Sequence, residues 1–555
     1  MTCMPSSVVA SRPEPTSPFL PLLENVVALL DDQTDHPEIW AALAEASRHD
    51  DVADLRTLIG TILPLQDGNA AKSLQTVAAV LTALCADRAA GLADLDRIAL
   101  LHPHCPQVAG AQFFVQRHDD PDRSADLRGR FCDAPFIKFE TLMDGSVAPC
   151  CSIWTQARLG HLDGQTAEEI WNSASAQAMR GSILDGSYRY CHKQRCTFIM
   201  DDTLPKREDV LDPARRADID ENRTVMAEGP SWLFLAHDVT CNLACPSCRD
   251  GIHAADEAQE RRFDRIEKQV FQPLLSSRGK TTISVSGQGD PWSSPHYRSI
   301  LRYMADHDLD VGLDLHTNAL LMNESRWSHY AGLDRYRALV NVSIDACTPW
   351  VYEVVRRPGR WHVLMPNLRF IAGKRTRGEF REFHLNATIQ LDNFHEMPAL
   401  VDFAQTLGAD SMRLYMIQNT GGHVSPLYPR LNVAAQDHPL HSAFLETLRH
   451  PILGSDFAHL YDVSHWRDRA LDATLPSDGL GKDWTRADLT DAIAGATDPA
   501  IIVAFCAAGR IRFPDDLSLL LREAQALCDL GFAPQAAYRM KDREALGGEA
   551  IVLQG

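Results

Sequence analysis

Eight of the 14 cysteines fall in two groups whose spacing suits metal chemistry. In VTCNLACPSCRDG, Cys241, Cys245 and Cys248 form C-x3-C-x2-C, so three thiolates within eight residues can converge on one metal centre from a single loop. The number of ligands matters. A 4Fe-4S cluster held by three cysteines keeps one iron open to an exogenous ligand, whereas a closed structural zinc site needs a fourth protein ligand, which His237 or His253 could supply. Upstream, RFCDAPFIKFETLMDGSVAPCCSIW carries Cys132, a hairpin pattern turning at Asp144-Gly145 and the Cys150-Cys151 pair, and YRYCHKQRCTF adds Cys191 and Cys196. Cys132, one of Cys150 and Cys151, Cys191 and Cys196 could make a four-thiolate site, which by count suits zinc and an iron–sulfur cluster equally. Adjacent residues of a strand point to opposite sides, so one of Cys150 and Cys151 is expected to be spare. Cys3, Cys85, Cys105, Cys347, Cys506 and Cys528 are scattered and read as small hydrophobes.

Both groups need a scaffold. From Ser231 to about Gln418, six β-rich runs alternate with helical stretches: WLFLAHD, TTISVSG, VGLDLHT, LVNVSID, FHLNATIQL and SMRLYMI, beginning at Trp232, Thr281, Val311, Leu339, Phe383 and Ser411. Helices are expected near 255–275, 294–307, 323–332, 348–374 and 395–408, which makes the strands parallel and joined by right-handed crossovers. The predicted fold is therefore α/β, an open or partial (β/α)6 barrel. Chemistry in such a barrel gathers at the C-terminal strand ends. The three-cysteine loop directly follows the first strand. The later ends carry SGQGDP, Thr317-Asn318, and Ser343 with Asp345; for Thr317, Asn318 and Asp345 strand-end capping and ligand contact are both open readings. On the fifth strand Asn386 and Gln390 share a face by the period of two. Arg356 and Arg357 offer either a clamp for an anionic group or a solvated helix face.

The cysteine loop and these βα units together resemble the radical S-adenosylmethionine (SAM) superfamily over 231–418. The resemblance implies that Cys241, Cys245 and Cys248 hold a 4Fe-4S cluster whose open iron is chelated by SAM, and that reductive cleavage of SAM yields a 5'-deoxyadenosyl radical that abstracts a substrate hydrogen. Ser247 stands where the family usually has an aromatic residue. Gln288, Gly289, Asp290 and Pro291 resemble the GGEP motif that holds the methionine amine of SAM, with Asp290 keeping a carboxylate for the ammonium. By the same resemblance Thr317, Asn318 and Ser343 are candidates to bind SAM. The upstream segment is similar to the SPASM or shorter twitch domain, which binds auxiliary Fe-S clusters: Gly145 lies five residues before Cys150, GHLDGQTAEEIWNSASAQAMR follows, and Cys191 and Cys196 close the run. That spacing favours Cys150 over Cys151. The ligand set suffices for one cluster, as in the twitch form, and the domain precedes the barrel where the family generally has it following.

The rest of the chain is read from composition. A tail (1–20) and a helical domain (21–115) precede the cysteine-rich α+β domain (128–205), and a helical accessory region (430–555) follows the barrel (231–420). With 54 basic against 74 acidic side chains the net charge is -20, which argues against nucleic acid as a partner. The start of the chain lacks a signal-peptide pattern and no run of about 18 apolar residues occurs, so a cytoplasmic protein without membrane attachment is expected. The family resemblance implies a reducing flavodoxin or ferredoxin as electron donor, and a peptide or protein substrate, with a small alcohol or sugar as the alternative. A reading of another class is a non-catalytic scaffold stabilised by zinc or Fe-S.

Overall fold

The computed structural model describes residues 37–46, 55, 57, 59–60, 63–65, 68–102, 105–117, 127–152, 154–155, 157–193, 196–200, 202–275, 281–419, 424, 426–472 and 485–551. The predicted tail (1–20), and residues 21–36 of the predicted helical domain, lie outside them. Two compact units emerge, one of Met1–His237 with Asp264–Thr281, the other of Asp238–Phe263 with Thr282–Gly555.

The first unit opens with helices α1 (Pro37–Ala46), α2 (Gly68–Cys85), α3 (Arg88–Leu101) and α4 (Pro106–Arg117). Leu74, Val77 and Leu81 recur along α2 at three- and four-residue steps and bury one stripe in a core that includes Trp40, Leu95 and Val108. Next come β1 (Lys138–Thr141), β2 (Ser146–Ala148) and β3 (Gly160–His161), an antiparallel meander. The β1–β2 turn falls at Asp144-Gly145 as expected: Asp144 Oδ1 accepts from Ser146 N (2.9 Å) and Gly145 takes a φ of +86° that a side chain would disfavour. Two short helices follow, α5 (Ala167–Trp171) and α6 (Ala174–Leu184), the first started by a capping box between Thr166 and Glu169. The unit ends on β4 (Trp232–Leu235), the first of the six predicted strands, which pairs in parallel with β1.

In the second unit β5 (Thr281–Val285), β6 (Val311–Thr317), β7 (Leu339–Ser343), β8 (Glu382–Ile389) and β9 (Ser411–Met416) are the other five predicted strands, and lie side by side in chain order. The β6–β7, β7–β8 and β8–β9 pairs are parallel, and a short β10 (Ala458–His459), which the sequence did not suggest, pairs in parallel with β9. Helices α7 (Pro295–Asp306), α8 (Glu324–Ser328), α9 (Pro349–Val355), α10 (Trp361–Thr376) and α11 (Met397–Leu407) fall in the intervening segments. The class is α/β with a mainly parallel sheet, as expected. Strands β6 to β9 have two unlike faces. Leu313 and Leu315, Val340 and Val342, Leu385 and Ala387, and Met412 and Leu414 are buried apolar residues, and alternating with them stand Asp314 and His316, Asn341, Asn386 and Arg413. The chain then runs through α12 (His441–Leu448), α13 (Arg486–Gly495), α14 (Pro499–Arg512), α15 (Leu517–Asp529) and α16 (Ala533–Ala545). Buried Glu523 ties the last three together, with Arg510 Nε at 2.7 Å and Arg539 Nε at 3.0 Å. Among the described residues no helix is long and apolar enough to cross a membrane.

Arg180 on α6 knits the first unit. Its fully buried guanidinium donates to the carbonyls of Pro135 (2.9 Å), Trp171 (2.7 Å) and Thr224 (2.8 Å), with its carbon 4.4 Å from the centre of the Trp171 ring. Arg180→Ala should leave three carbonyls unpaired and cost about 3–5 kcal/mol of this unit's stability, measured as a lowered denaturant midpoint by circular dichroism. A midpoint equal to wild type would contradict that role.

Candidate active site and cysteine-rich domain

Cys241, Cys245 and Cys248 lie on one loop that opens onto a cavity of about 400 Å³. Local backbone bonds shape the loop: Cys241 N donates to His253 O (3.0 Å), Cys248 N to Cys245 O (2.9 Å) and Ala244 N to Arg357 O (2.8 Å). Cys241 and Cys245 are buried and Cys248 is exposed. Burial pushes the Cys245 thiol up to about 11, against the pull of Arg356; burial, then Asp290, raises Cys241. Each sulfur has its own donor. Asn318 Nδ2 stands 3.8 Å from Cys241 Sγ, Arg356 Nη1 3.9 Å from Cys245 Sγ and Arg249 Nη2 3.4 Å from Cys248 Sγ. Arg249 is fixed by Val239 O (2.7 Å) and Gln288 O, and Arg356 by an ion pair with Asp345 at 2.7 Å.

The strand ends deliver most of the expected residues to this cavity. Gln288, Gly289, Thr317, Asn318 and Ser343 line it, as do Asp345 and Arg356. Gly289 is placed where a Cβ would come within 2.5 Å of Asp238 O and 2.7 Å of Thr240 O, so the strand end presses on the cysteine loop by backbone alone. Asp290 is placed otherwise. Its carboxylate is fully buried outside the lining: Oδ1 accepts from Trp292 N (2.9 Å) and Ser293 N (3.3 Å), Oδ2 from Thr317 Oγ1 (2.8 Å) and Asn318 N (2.9 Å). Those four donors occupy the positions an ammonium group would need, which corrects the expectation that Asp290 receives one. Pro291 also lies outside the lining. Arg356 is not on a solvated helix face but half of a buried ion pair, and Arg357 Nε donates to Ala244 O (3.1 Å) within the cysteine loop. Gln390 is fully buried away from the cavity. Arg249 was missed, although it directly follows Cys248. His316, Thr388 and Tyr415, which also line the cavity, were signalled only by strand alternation.

A zinc ion would need a fourth ligand. His253 faces Asp250 (3.4 Å), and His237 Nδ1 is bound to Thr141 Oγ1 (2.8 Å) with its ring stacked on Phe271. Among the described residues no three His, Cys, Asp or Glu side chains stand close enough to hold one metal ion. Three separated sulfurs, each with a donor, around an open cavity fit a larger three-thiolate cluster with one free position.

In the first unit, Cys132, Cys150, Cys191 and Cys196 come together. Burial pushes the thiols of Cys132, Cys150 and Cys191 up, that of Cys132 to about 12, and the group acts on itself: Cys150 is raised further by Cys191 and Cys132, Cys191 by Cys132 and Cys196. Lys138 opposes this at Cys150 and is itself paired with Glu140 at 2.6 Å. The four cysteines therefore share one neighbourhood, although as they stand no three of them are close enough to hold a single metal ion.

Residues 132–197, bracketed by the first and last of these cysteines, match the family model of SPASM, an iron–sulfur cluster-binding domain, and the segment is identified as one. An uncharacterised protein of Archaeoglobus fulgidus is 25% identical over 164 residues, 30% of this chain, and the chain spans 36% of that relative's length. Among solved structures, Streptococcus suis SuiB bound to S-adenosylmethionine is 16% identical over 34% of this chain and 39% of its own, with a TM-score of 0.24. The protein anSMEcpe with bound AdoMet is 15% identical over 41% of this chain and 60% of its own, with a TM-score of 0.28.

Asp290→Ala should strand four donors and cost about 3–5 kcal/mol, while Asp290→Asn, which retains one acceptor oxygen, should lose less. Thermal unfolding of both variants checks the order, and equal stabilities would contradict it.

Proposed function

We propose that the chain is a radical SAM enzyme with one auxiliary iron–sulfur cluster, acting on an unactivated C–H bond of a peptide or protein substrate. The observation that carries this reading is the trio Cys241, Cys245 and Cys248, each sulfur with its own donor, opening on a cavity rimmed by Gln288, Gly289, Thr317, Asn318 and Ser343. The SPASM match supports the auxiliary cluster, for which Cys132, Cys150, Cys191 and Cys196 are the proposed ligands. The helical segments at both ends offer added docking surface for a polypeptide.

When bound, a 4Fe-4S cluster and SAM supply a reductively generated 5'-deoxyadenosyl radical to the substrate. The chain's own residues prepare the place. Asn318, Arg249 and Arg356 direct N–H groups at the three sulfurs and stabilise their negative charge. Asp345 holds Arg356 in position, taking its Nε on one oxygen and Thr388 N (2.8 Å) on the other. Asp290 fixes Thr317 and Asn318 from beneath, so the polar rim is set by the fold. The electron donor is expected to be a reduced flavodoxin or ferredoxin.

Anaerobic reconstitution should give about eight irons per chain, four for each cluster, and 5'-deoxyadenosine should form with dithionite and SAM. Cys241→Ala, Cys245→Ala and Cys248→Ala together should abolish 5'-deoxyadenosine and leave about four irons. Zinc in place of iron, with no SAM cleavage, would overturn the reading. Arg249→Gln should lower the midpoint potential of the SAM-side cluster by about 20–60 mV, the equivalent of one hydrogen bond to sulfur. Redox titration followed by electron paramagnetic resonance reads the shift, and an unchanged potential would remove Arg249 from that role.

A further inference from the structure

His316, Ser343, Asp345, Thr388 and Tyr415 line both the cysteine cavity and a second hollow of about 240 Å³. The two adjoin through this shared lining, an upper level at the cysteines and a lower one beside it. Strand alternation builds the levels: Ser343, Thr388 and Tyr415 border both, and Asn341, Asn386 and Arg413, each two residues earlier on the same strand, border the lower alone. Register sets Ser343 beside Asn386 and Asn386 beside Arg413 in a single row.

Arg413 brings a permanent cation to the lower level. Its Nη1 donates to Asn341 Oδ1 (2.8 Å), and its buried Nε has no partner. The carboxylates of the surroundings are engaged elsewhere. Asp345 pairs with Arg356 at 2.7 Å, Asp314 with Arg381 at 3.5 Å while also feeling the charge of Arg413, and Glu382 with His384 at 2.8 Å. Among the described residues Arg413 has no carboxylate within ion-pair distance. A guanidinium Nε–H buried without an acceptor is costly until one completes it, and the Nε edge matches a carboxylate in two-point geometry.

We propose that the lower level is a carboxylate subsite, in which the Nε edge of Arg413, beside Asn386, grips an anionic group of the substrate and so directs the rest of that molecule toward the cysteine level. The assignment of this anion to a substrate rests on the radical SAM reading; the anion site itself does not. A carboxylate could belong to an acidic residue of a polypeptide or to a small organic acid.

The test is calorimetric titration of the full-length reconstituted protein, saturated with SAM, with glutarate, its neutral isostere glutaramide, and N-acetylglutamate N-methylamide. Glutarate should bind about tenfold or more tightly than glutaramide, and Arg413→Gln should abolish that preference while Arg413→Lys keeps part of it. Tighter binding of the acetylglutamate amide than of glutarate assigns the subsite to an acidic side chain of a polypeptide; the reverse order assigns it to a small acid. Equal binding of glutarate and glutaramide to the wild type, or no binding of either, overturns the proposal without reliance on any variant. A glutarate preference unchanged in Arg413→Gln also overturns it. A protein that binds glutarate through Arg413 but forms no 5'-deoxyadenosine would refute the radical reading and leave the subsite standing.

Discussion

One buried carboxylate governs the geometry around the cysteine loop. Asp290 accepts from Trp292 N and Ser293 N on its own turn and from Thr317 Oγ1 and Asn318 N at the end of β6, while its own N–H donates to Thr240 O one residue before Cys241. Asp238 repeats the device on the other side of the loop, accepting from Thr240 N (2.8 Å) and from Ser294 Oγ (2.5 Å) at the start of α7. A charge buried with its donors missing costs several kcal/mol, so neither carboxylate is tolerated unless the loop and both strand ends arrive together. The absent side chain of Gly289 lets them come that close.

The sheet is organised to bring polar groups inside. Parallel strands covered on both faces ordinarily read as unbroken apolar runs. Here β6 to β9 alternate instead, because one face packs on hydrophobic side chains and the other lines a wet cavity. A row of buried and half-buried Asn, Ser, Thr and Arg side chains lowers stability unless each polar atom finds a partner, a ligand or water. The fold accepts that cost only where the cavity is.

This alternation made the fold legible. The strand runs are β-branched and aromatic, bounded by Gly, Asp or Pro, and the six predicted starts lie within one residue of the observed ones. Two-residue β10 carries too little pattern to be read, and the pairing of β1 with β4 joins segments more than ninety residues apart, which no local signal encodes. At the site, the cysteine spacing and the strand-end residues were legible for the same reason, being local. The partners of Asp290 were not, since Thr317 lies 27 residues away and only the fold brings it near. Without those partners an acidic residue in a Gly-Asp-Pro turn looks available to a ligand. Arg356 misled in the opposite sense: with Asp345 out of view, two arginines on a helix look solvated, and the ion pair at 2.7 Å shows otherwise.

The two cysteine groups answer the same electrostatic problem differently. Several thiolates in one place repel one another, and burial raises the cost of ionising each. Around Cys132, Cys150, Cys191 and Cys196, Lys138 is shared with Glu140, Arg158 feels Asp144 and Glu140, and Lys193 acts on Cys191, so the positive charge is small against four thiolates. Such a set is held in ionised form by a metal centre that supplies the charge itself. Around Cys241, Cys245 and Cys248 the protein supplies more: Arg249 has only carbonyls and sulfur as partners, so its charge is not cancelled by a carboxylate at hand. Four sulfurs close one site, and three sulfurs with donors leave a side of the other open to the cavity. The difference in charge provision thus follows the difference in ligand number: a cation without a carboxylate partner stands beside the three sulfurs, and cations shared with carboxylates stand near the four.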